Sequence, residues 1–172
     1  MWLIFGFVLA ASACDLSKQA NWPNGTYAKL HWWQCGGTTT YHSAVTQDVN
    51  GKAIYPIKLT EPLVVETDWE LKNTFEKGVL SSIKLWAYKG MIGCDWSEVP
   101  TLGLLSNLDA CEHGVPCPVK PGRQTTKITL DFTQFKSVIR LLQDNAPYQL
   151  QYQLHQGSNS ACIMSQARAF TK

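Results

Sequence analysis

Residues 148–155, YQLQYQLH, alternate apolar and polar side chains without interruption. The apolar positions are Tyr148, Leu150, Tyr152 and Leu154, and the polar positions are Gln149, Gln151, Gln153 and His155. A period of two predicts a β-strand that is buried on one face and solvated on the other, as in an antiparallel sheet.

Three other segments, residues 63–71, 79–88 and 127–132, repeat this alternation. Their apolar faces carry Leu63, Val65, Trp69, Leu71, Val79, Ile83, Leu85, Ile128, Leu130 and Phe132. Further strand candidates lie at residues 26–33, 41–49, 53–59 and 161–170. Gly157-Ser158-Asn159 and Asn50-Gly51 predict hairpin turns between neighbouring strands.

Helical periodicity is weak along the whole chain. Residues 96–108 could form one irregular turn, but Pro100 and Gly103 interrupt them. The 172 residues suit one domain. The sequence therefore predicts an all-β fold, an immunoglobulin-like β-sandwich of two antiparallel sheets.

The composition excludes several classes of protein. Charged residues make up 16% of the chain and the net charge is +2, which argues against a dedicated nucleic-acid binder with its basic stripe or cluster. Seven Trp, six Tyr and six Phe exclude intrinsic disorder, which requires few aromatic residues. No internal apolar run approaches the roughly 20 residues of a membrane span.

The N-terminal segment Met1–Ala13 predicts a secretory signal peptide. It is apolar and ends in Ala11-Ser12-Ala13, an A-x-A cleavage pattern, although the usual basic residue before the apolar run is missing. We expect a mature domain of residues 14–172 in an oxidising compartment. Asn24-Gly25-Thr26 is a glycosylation sequon that fits this route. The alternatives are a buried N-terminal helix or strand, and a bacterial lipobox that would acylate Cys14.

Two apolar stretches lie outside the alternating segments. Val99–Leu108 contains Leu102, Leu104, Leu105 and Leu108, and Phe135–Leu142 contains Val138, Ile139, Leu141 and Leu142. Connecting segments are normally polar because they cross the surface. These two either cap the sandwich core or form apolar lips around an opening. Lys136 and Arg140, beside the second stretch, could contact anionic lipid headgroups.

Six cysteines stand at positions 14, 35, 94, 111, 117 and 162, and six cysteines allow 15 pairings. Cys111 and Cys117 could close a short loop that contains a Gly and a Pro. A bond from Cys35 to Cys162 could join the terminal strands, which would stabilise the fold by roughly 4–5 kcal/mol in the chain-entropy model. A metal site is disfavoured because the chain has no C-x-x-C and its four histidines lack zinc spacing.

Catalytic motifs are weak in this sequence. It contains no G-x-S-x-G, and His155 belongs to a regularly alternating strand. Asp95 and Glu98 are three residues apart on a predicted surface turn, where carboxylates are normally solvated. We therefore expect a protein that is not an enzyme and that uses no cofactor.

Residues 111–122, CEHGVPCPVKPG, resemble the signature of the MD-2-related lipid-recognition (ML) domain family. In that family a loop between two cysteines is followed by Cys-Pro, an aliphatic residue, Lys and Gly. The aromatic run before Cys35, the QLQYQL strand and the Cys162 segment extend the resemblance over residues 30–170. Ganglioside activator proteins are the most similar members, through Gly93-Cys94 and Gly114-Val115-Pro116-Cys117, followed by lysosomal sterol carriers of the Niemann–Pick type.

The resemblance implies two splayed sheets with an apolar cavity between them, into which lipid tails insert. It also implies the disulfides Cys35–Cys162 and Cys111–Cys117. The chain departs from the family around Cys94, which has no other cysteine within fifteen residues. Cys94 could bond Cys14, if Cys14 survives processing, or it could bond Cys117 in place of Cys111.

A lipid tail that leaves water for such a cavity gains about 0.8 kcal/mol per methylene, or roughly 12 kcal/mol for sixteen carbons. The candidate lipid-binding residues are Ile83, Leu85, Leu102, Leu104, Leu105, Ile128, Leu130, Phe132, Val138, Ile139, Leu141, Leu142, Leu150, Tyr152 and Leu154.

The resemblance implies a secreted or lysosomal protein that binds and transfers lipid, whether glycolipid, phospholipid or sterol. It would contact membrane surfaces transiently through its apolar loops, and it could present lipid to a hydrolase as a non-catalytic activator. The alternative is a secreted, disulfide-stabilised β-sandwich with a closed core that binds a protein partner on its surface. Ordinary core packing would then account for the apolar strand faces.

Overall fold

The computed structural model describes residue 23, residues 25–89 and residues 94–172. The predicted signal peptide Met1–Ala13, the predicted mature terminus at Cys14 and the sequon residue Asn24 lie outside the described residues. Predictions about cleavage, acylation and glycosylation therefore stay predictions.

The described ranges contain strands and two short helical segments. The strands are β1 (His31–Gly37), β2 (Thr40–Gln47), β3 (Ile57–Lys58), β4 (Leu63–Leu71), β5 (Leu80–Lys89), β6 (Asp95–Glu98), β7 (Leu108–Asp109), β8 (Gly122–Leu130), β9 (Ala146–Gln156) and β10 (Asn159–Phe170). Between β8 and β9 lie a 3₁₀ turn, Phe132–Phe135, and the one-turn helix α1 (Lys136–Ile139).

The strands form two sheets. The larger sheet has the order β1-β10-β9-β5-β6, with β3 beside β10 and β7 beside β5, and the smaller has the order β2-β4-β8. The main pairs are antiparallel, while the short β3–β10 pair is parallel. The prediction of an immunoglobulin-like sandwich of two antiparallel sheets is confirmed.

The alternating residues hold the two sheets face to face. Strand β4 has the predicted bounds, 63–71. The predicted inward positions of β4, β5 and β9 include the buried residues Leu63, Trp69, Leu71, Ile83, Leu85, Tyr148, Tyr152 and Leu154. Gln156 pairs with Asn159 across the Gly157-Ser158 turn, so the predicted hairpin is also confirmed.

Several predicted strand bounds are wrong. Residues 25–28 form a turn closed by hydrogen bonds from Ala28 N and Lys29 N to the Gly25 carbonyl oxygen (3.2 and 3.3 Å), so the strand predicted at 26–33 begins only at 31. The candidate 53–59 shortens to Ile57–Lys58. Strand β8 begins at Gly122 and ends at Leu130, because Asp131 then caps the 3₁₀ turn.

Two segments also contain regular structure that the sequence did not predict. Phe135–Leu142 includes α1 rather than being an irregular loop. Residues 96–108 begin in strand β6, and the chain then turns with positive φ at Leu102 (52°) and Gly103 (78°).

Two disulfides are those that the family resemblance implies. Cys35 bonds Cys162 and joins β1 to β10, with the Cα atoms 5.1 Å apart. Cys111 bonds Cys117, with the Cα atoms 5.5 Å apart. The alternative bond from Cys94 to Cys117 is therefore wrong. The pairing of Cys14 with Cys94 falls partly outside the described residues.

One end of the sandwich is filled by large side chains, and we call it the packed end. Trp69 is 0% exposed and Phe75 is 1% exposed, and their ring centroids are 6.4 Å apart. Trp69 Nε1 donates a hydrogen bond to Thr126 Oγ1 at 2.9 Å. Tyr41 packs against Trp69 at 5.8 Å between centroids. These contacts close the space between the sheets at the carboxyl end of β4.

Candidate functional site: a cavity between the sheets

An apolar cavity lies between the two sheets next to the packed end. Its volume is about 110 Å³, and about 10–15 Å³ on the same scale is enough to hold one water molecule. Its walls come from β2, β4 and β8 of the smaller sheet, from β5, β9 and β10 of the larger sheet, and from the segment between β8 and β9. Within the described ranges no charged or imidazole side chain lines it.

Most of the predicted lipid-binding residues line this cavity. They are Ile83, Leu85, Leu105, Ile128, Leu130, Phe132, Val138, Ile139, Leu142, Leu150 and Tyr152. Leu154 is buried at 1% exposure in the hydrophobic core without lining the cavity. Leu102, Leu104 and Leu141 are exposed. The structure thus brings most of these side chains together, and their contact with lipid stays a prediction.

Small side chains leave the cavity open, and sequence reasoning missed them. The small residues that line it are Ala44, Thr46, Thr67, Ser165, Ala167 and Ala169. Ala, Ser and Thr add little to a hydrophobic period, so they give no clear signal. A bulge in β2 between Tyr41 and Ser43 hides the signal further, because it turns both Tyr41 and Ala44 inward although they are three residues apart.

Residues 132–142 cover one end of the cavity, and we call them the cover segment. Asp131 Oδ1 accepts hydrogen bonds from Thr133 N at 3.0 Å and Thr133 Oγ1 at 2.6 Å. The hydrogen bonds from Thr133, chiefly from its side chain, hold the pKa of Asp131 below its usual value. Beyond the segment, Tyr148 Oη donates to the Gln143 carbonyl oxygen at 2.8 Å and accepts from Gln143 N at 2.7 Å. Both ends of the cover segment are therefore attached to the sandwich.

Aliphatic side chains of the two apolar stretches differ in their exposure to solvent. Leu105 is 1% exposed, and its carbonyl oxygen accepts from Ile83 N at 2.8 Å, which attaches the first stretch to β5. Leu102 and Leu104 beside it are 91% and 45% exposed, and Leu141 is 56% exposed. Neither alternative, capping the core or forming lips around an opening, therefore describes all the side chains of these stretches, and their role as lips stays a prediction.

The inward group consists of Leu105, Val138, Ile139 and Leu142, which line the cavity. The outward group consists of Leu102, Leu104 and Leu141, which we call the exposed leucines. Lys136 and Arg140 of the cover segment are also exposed.

Two buried hydroxyl groups belong to the cavity wall. Tyr41 and Tyr152 are 7% and 6% exposed, and both line the cavity. Neither Oη atom has a hydrogen-bond partner. Burial raises the pKa of both phenols. The nearby Ser81 hydroxyl has a smaller, opposite effect and lowers the pKa of Tyr152. Ser81 Oγ donates its own proton to the Leu108 carbonyl oxygen at 3.3 Å.

A more polar chamber of about 160 Å³ adjoins the apolar cavity. Ser81, Glu112, His113, Asp131 and Gln134 contribute its polar lining. The two spaces share Ile83, Leu130, Phe132, Phe135 and Tyr152 as a common wall. A ligand in the apolar cavity would therefore lie next to a polar compartment beside the Cys111–Cys117 loop.

The catalytic candidates from the sequence are dispersed. Asp95 and Glu98 lie exposed in strand β6 rather than on a turn, and His155 is exposed on β9. Across residues 23, 25–89 and 94–172, no three His, Cys, Asp or Glu side chains are grouped so that they could hold a metal ion. In the same ranges no helix is long and apolar enough to cross a membrane.

The chain was compared with protein-family models, with curated proteins and with solved structures. No family model matches the chain, and no curated protein matches it. A Niemann-Pick type C2 protein from the Japanese carpenter ant aligns with 81% of this chain and 98% of its own, at 12% identity and a TM-score of 0.47. The C-terminal domain of wzt aligns with 83% of this chain and 78% of its own, at 10% identity and a TM-score of 0.40.

Proposed function

We propose that this protein binds a lipid between its two sheets and carries it through water. The observation that supports the proposal is the cavity, whose walls are apolar and, among the described residues, free of charged side chains. Apolar tails gain free energy in such a space in proportion to the methylenes removed from water. No specific polar contact is needed for that gain.

The finer parts of the proposal concern family, location and partners. The Cys111–Gly122 segment resembles the ML domain signature, and the structure forms both disulfides that this resemblance implies. Disulfides persist in oxidising compartments, which is consistent with secretion or a lysosomal lumen. In such a place the protein would transfer lipid between membranes, or present it to a hydrolase without catalysing the reaction itself.

The exposed leucines would make the contact with a membrane. Apolar side chains that project from a surface gain free energy when they insert into the headgroup region, and nearby basic groups add attraction to anionic lipids. Lys136 and Arg140 are exposed in the same segment as Leu141. The contact would be transient because few side chains insert.

The first experiment is organic extraction of the purified full chain followed by mass spectrometry, together with uptake of a fluorescent phospholipid and a fluorescent sterol. We expect lipid in the extract at a stoichiometric level, or saturable uptake of a probe. A clean extract with no uptake of either probe contradicts the proposal and favours a surface-binding domain. Hydrolysis of any lipid by the protein alone would contradict the assignment as a non-enzyme.

A cavity-filling variant tests where the lipid binds. Ala167 is 8% exposed and lines the cavity, so Ala167→Leu places extra methyl groups in the space that a tail would occupy. We expect uptake to weaken about tenfold, the equivalent of about 1.4 kcal/mol. Ala53→Leu is the matched control, since Ala53 is exposed. Equal uptake by both variants would place the lipid outside the cavity.

A further inference from the structure

We propose that the cavity recognises a neutral oxygen atom of the ligand through two buried hydroxyl groups, that of Tyr41 beside the packed end and that of Tyr152 in the wall shared with the polar chamber. The ligand would then be an elongated apolar molecule with a hydroxyl or carbonyl group on the end that enters first. This inference rests on the proposed function and specifies the ligand.

The two hydroxyls lack partners in a place where partners are normally required. Buried polar groups are hydrogen-bonded in most proteins, and a buried hydroxyl without a partner costs free energy. Tyr41 Oη and Tyr152 Oη are both buried without a hydrogen bond. Tyr148 shows the contrast, because it lines the same cavity but its hydroxyl donates to and accepts from Gln143.

The position of Tyr41 decides which end of the ligand would meet it. Tyr41 pairs with Trp69 between β2 and β4, at the packed end. Leu63, at the other end of β4, pairs with Leu130, close to the start of the cover segment. Six residues of β-strand span about 20 Å. A molecule that passes the cover segment therefore brings its leading end to Tyr41.

The chemistry of the walls requires that the leading group be neutral. Because burial raises the pKa of both tyrosines, they stay protonated and can donate hydrogen bonds to an oxygen atom. A carboxylate or phosphate would lose its hydration without gaining a cation, because the lining in the described ranges contains no Lys, Arg or His. Thr46 also lines the cavity, but its hydroxyl already donates its proton to the Ile54 carbonyl oxygen at 2.7 Å. That proton is therefore not available to the ligand.

The test compares two ligands that differ by one oxygen atom. Dodecane and 1-dodecanol are used to displace a fluorescent naphthylamine probe from the full-length protein and from Tyr41→Phe, Tyr152→Phe and the double variant. The ratio of the two affinities is compared between proteins, so that the difference in ligand hydration cancels. We expect the preference for dodecanol to fall about tenfold in the double variant, as for the loss of one or two hydrogen bonds.

Tyr148→Phe is the matched control, because it removes a hydroxyl from the same cavity that already has its partner. Because the Tyr148 hydroxyl also holds the end of the cover segment through Gln143, the affinity for both ligands can change in this control, but we expect the dodecanol-to-dodecane ratio to stay at the wild-type value. Tyr41→Phe is also expected to raise the melting temperature of the ligand-free protein, since it removes a buried group without a hydrogen bond.

The outcomes separate this inference from the proposed function. If both ligands displace the probe and the ratio is the same in the wild type and the double variant, the oxygen-recognition inference is overturned while lipid binding stands. If neither ligand displaces the probe and no fluorescent lipid is taken up, the proposed function fails as well. A fall in the ratio for Tyr148→Phe equal to that of the double variant would also overturn the assignment.

Discussion

The two halves of the sandwich interior differ in what fills the space between the sheets. At the packed end Trp69, Phe75 and Val79 are at most 1% exposed. In the cavity half, small residues such as Ala44 and Ala167 line the walls. Strand β4 runs through both halves and is paired with β2 and β8 along its length. Backbone pairing is therefore similar, and side-chain volume accounts for the difference.

This comparison shows how one fold combines a closely packed core with an internal cavity. Large side chains in close contact contribute dispersion and burial energy. A cavity gives up part of that energy, because its lining atoms lack neighbours. We expect changes at the packed end to affect folding most strongly, and changes at the cavity to affect ligand binding most strongly.

The largest effect is expected for Trp69→Ala. It removes a fully buried ring and the hydrogen bond to Thr126, so the free energy of unfolding should fall by about 3–5 kcal/mol. Leu130→Ala in the cavity wall should cost about 2 kcal/mol, because Leu130 is only partly buried and already borders open space. Urea unfolding followed by circular dichroism measures both. Equal losses would contradict the distinction between the two halves.

The double variant Cys111→Ser/Cys117→Ser should have the next largest effect. The bond closes a loop with a sequence separation of 6, which contributes about 2 kcal/mol in the chain-entropy model. We expect a lower melting temperature with lipid uptake retained, because neither cysteine lines the apolar cavity. Loss of uptake in a variant that still folds would show that this loop belongs to the binding site.

A smaller effect is expected when the exposed leucines are removed. Leu102→Ser/Leu104→Ser should weaken binding to vesicles that contain anionic phospholipid about tenfold, since two inserted side chains are lost. Val45→Ser/Val49→Ser is the matched control, because these valines are also exposed, at 43% and 66%, but lie on and just beyond β2. Cosedimentation measures both, and an equal loss in the control would exclude a directed membrane contact.

The smallest effect concerns pH and the cover segment. The folded-state pKa of Asp131 lies below its usual value, so its stabilising effect is present above the unfolded pKa of about 3.9 and is lost as the pH falls through the folded pKa. We therefore expect residues 133–142 to keep their amide protection at pH 5 and to lose it below about pH 4, with protection taken relative to the intrinsic exchange rate at each pH. Hydrogen exchange measures this, and Asp131→Ala should abolish the pH-dependent step. A step that persists in the variant would assign it to another group.

The sequence predicted which faces of the strands are buried but not how much space lies between them. Hydrophobic periodicity identified Trp69 and Ile83 as inward residues, and both are buried. The same period could not reveal the cavity, because its size depends on the distance between sheets and on small residues such as Ala44. The family resemblance supplied both disulfides, which spacing alone left open.

Predictions for the connecting segments were less successful, for a physical reason. Leu102 and Leu105 look alike in the sequence, yet one is 91% exposed and the other 1% exposed. Leu105 is fixed by the hydrogen bond between its carbonyl oxygen and Ile83 N, a long-range contact without a local signal. The helix α1 is one turn long, too short for a helical period to appear.

The Cys111–Cys117 loop has a consequence for how the protein behaves in a crowded solution. Thr129 N on the outer edge of β8 donates to the Gly114 carbonyl oxygen at 3.1 Å, and a Cβ atom at Gly114 would overlap the Thr129 carbonyl oxygen. At the opposite edge of the same sheet, Ile54 N donates to the Thr46 carbonyl oxygen at 3.1 Å. An uncovered sheet edge recruits strands from other molecules. Because some backbone groups on each edge already bond within the chain, a neighbouring copy has less free backbone there on which to build a shared sheet.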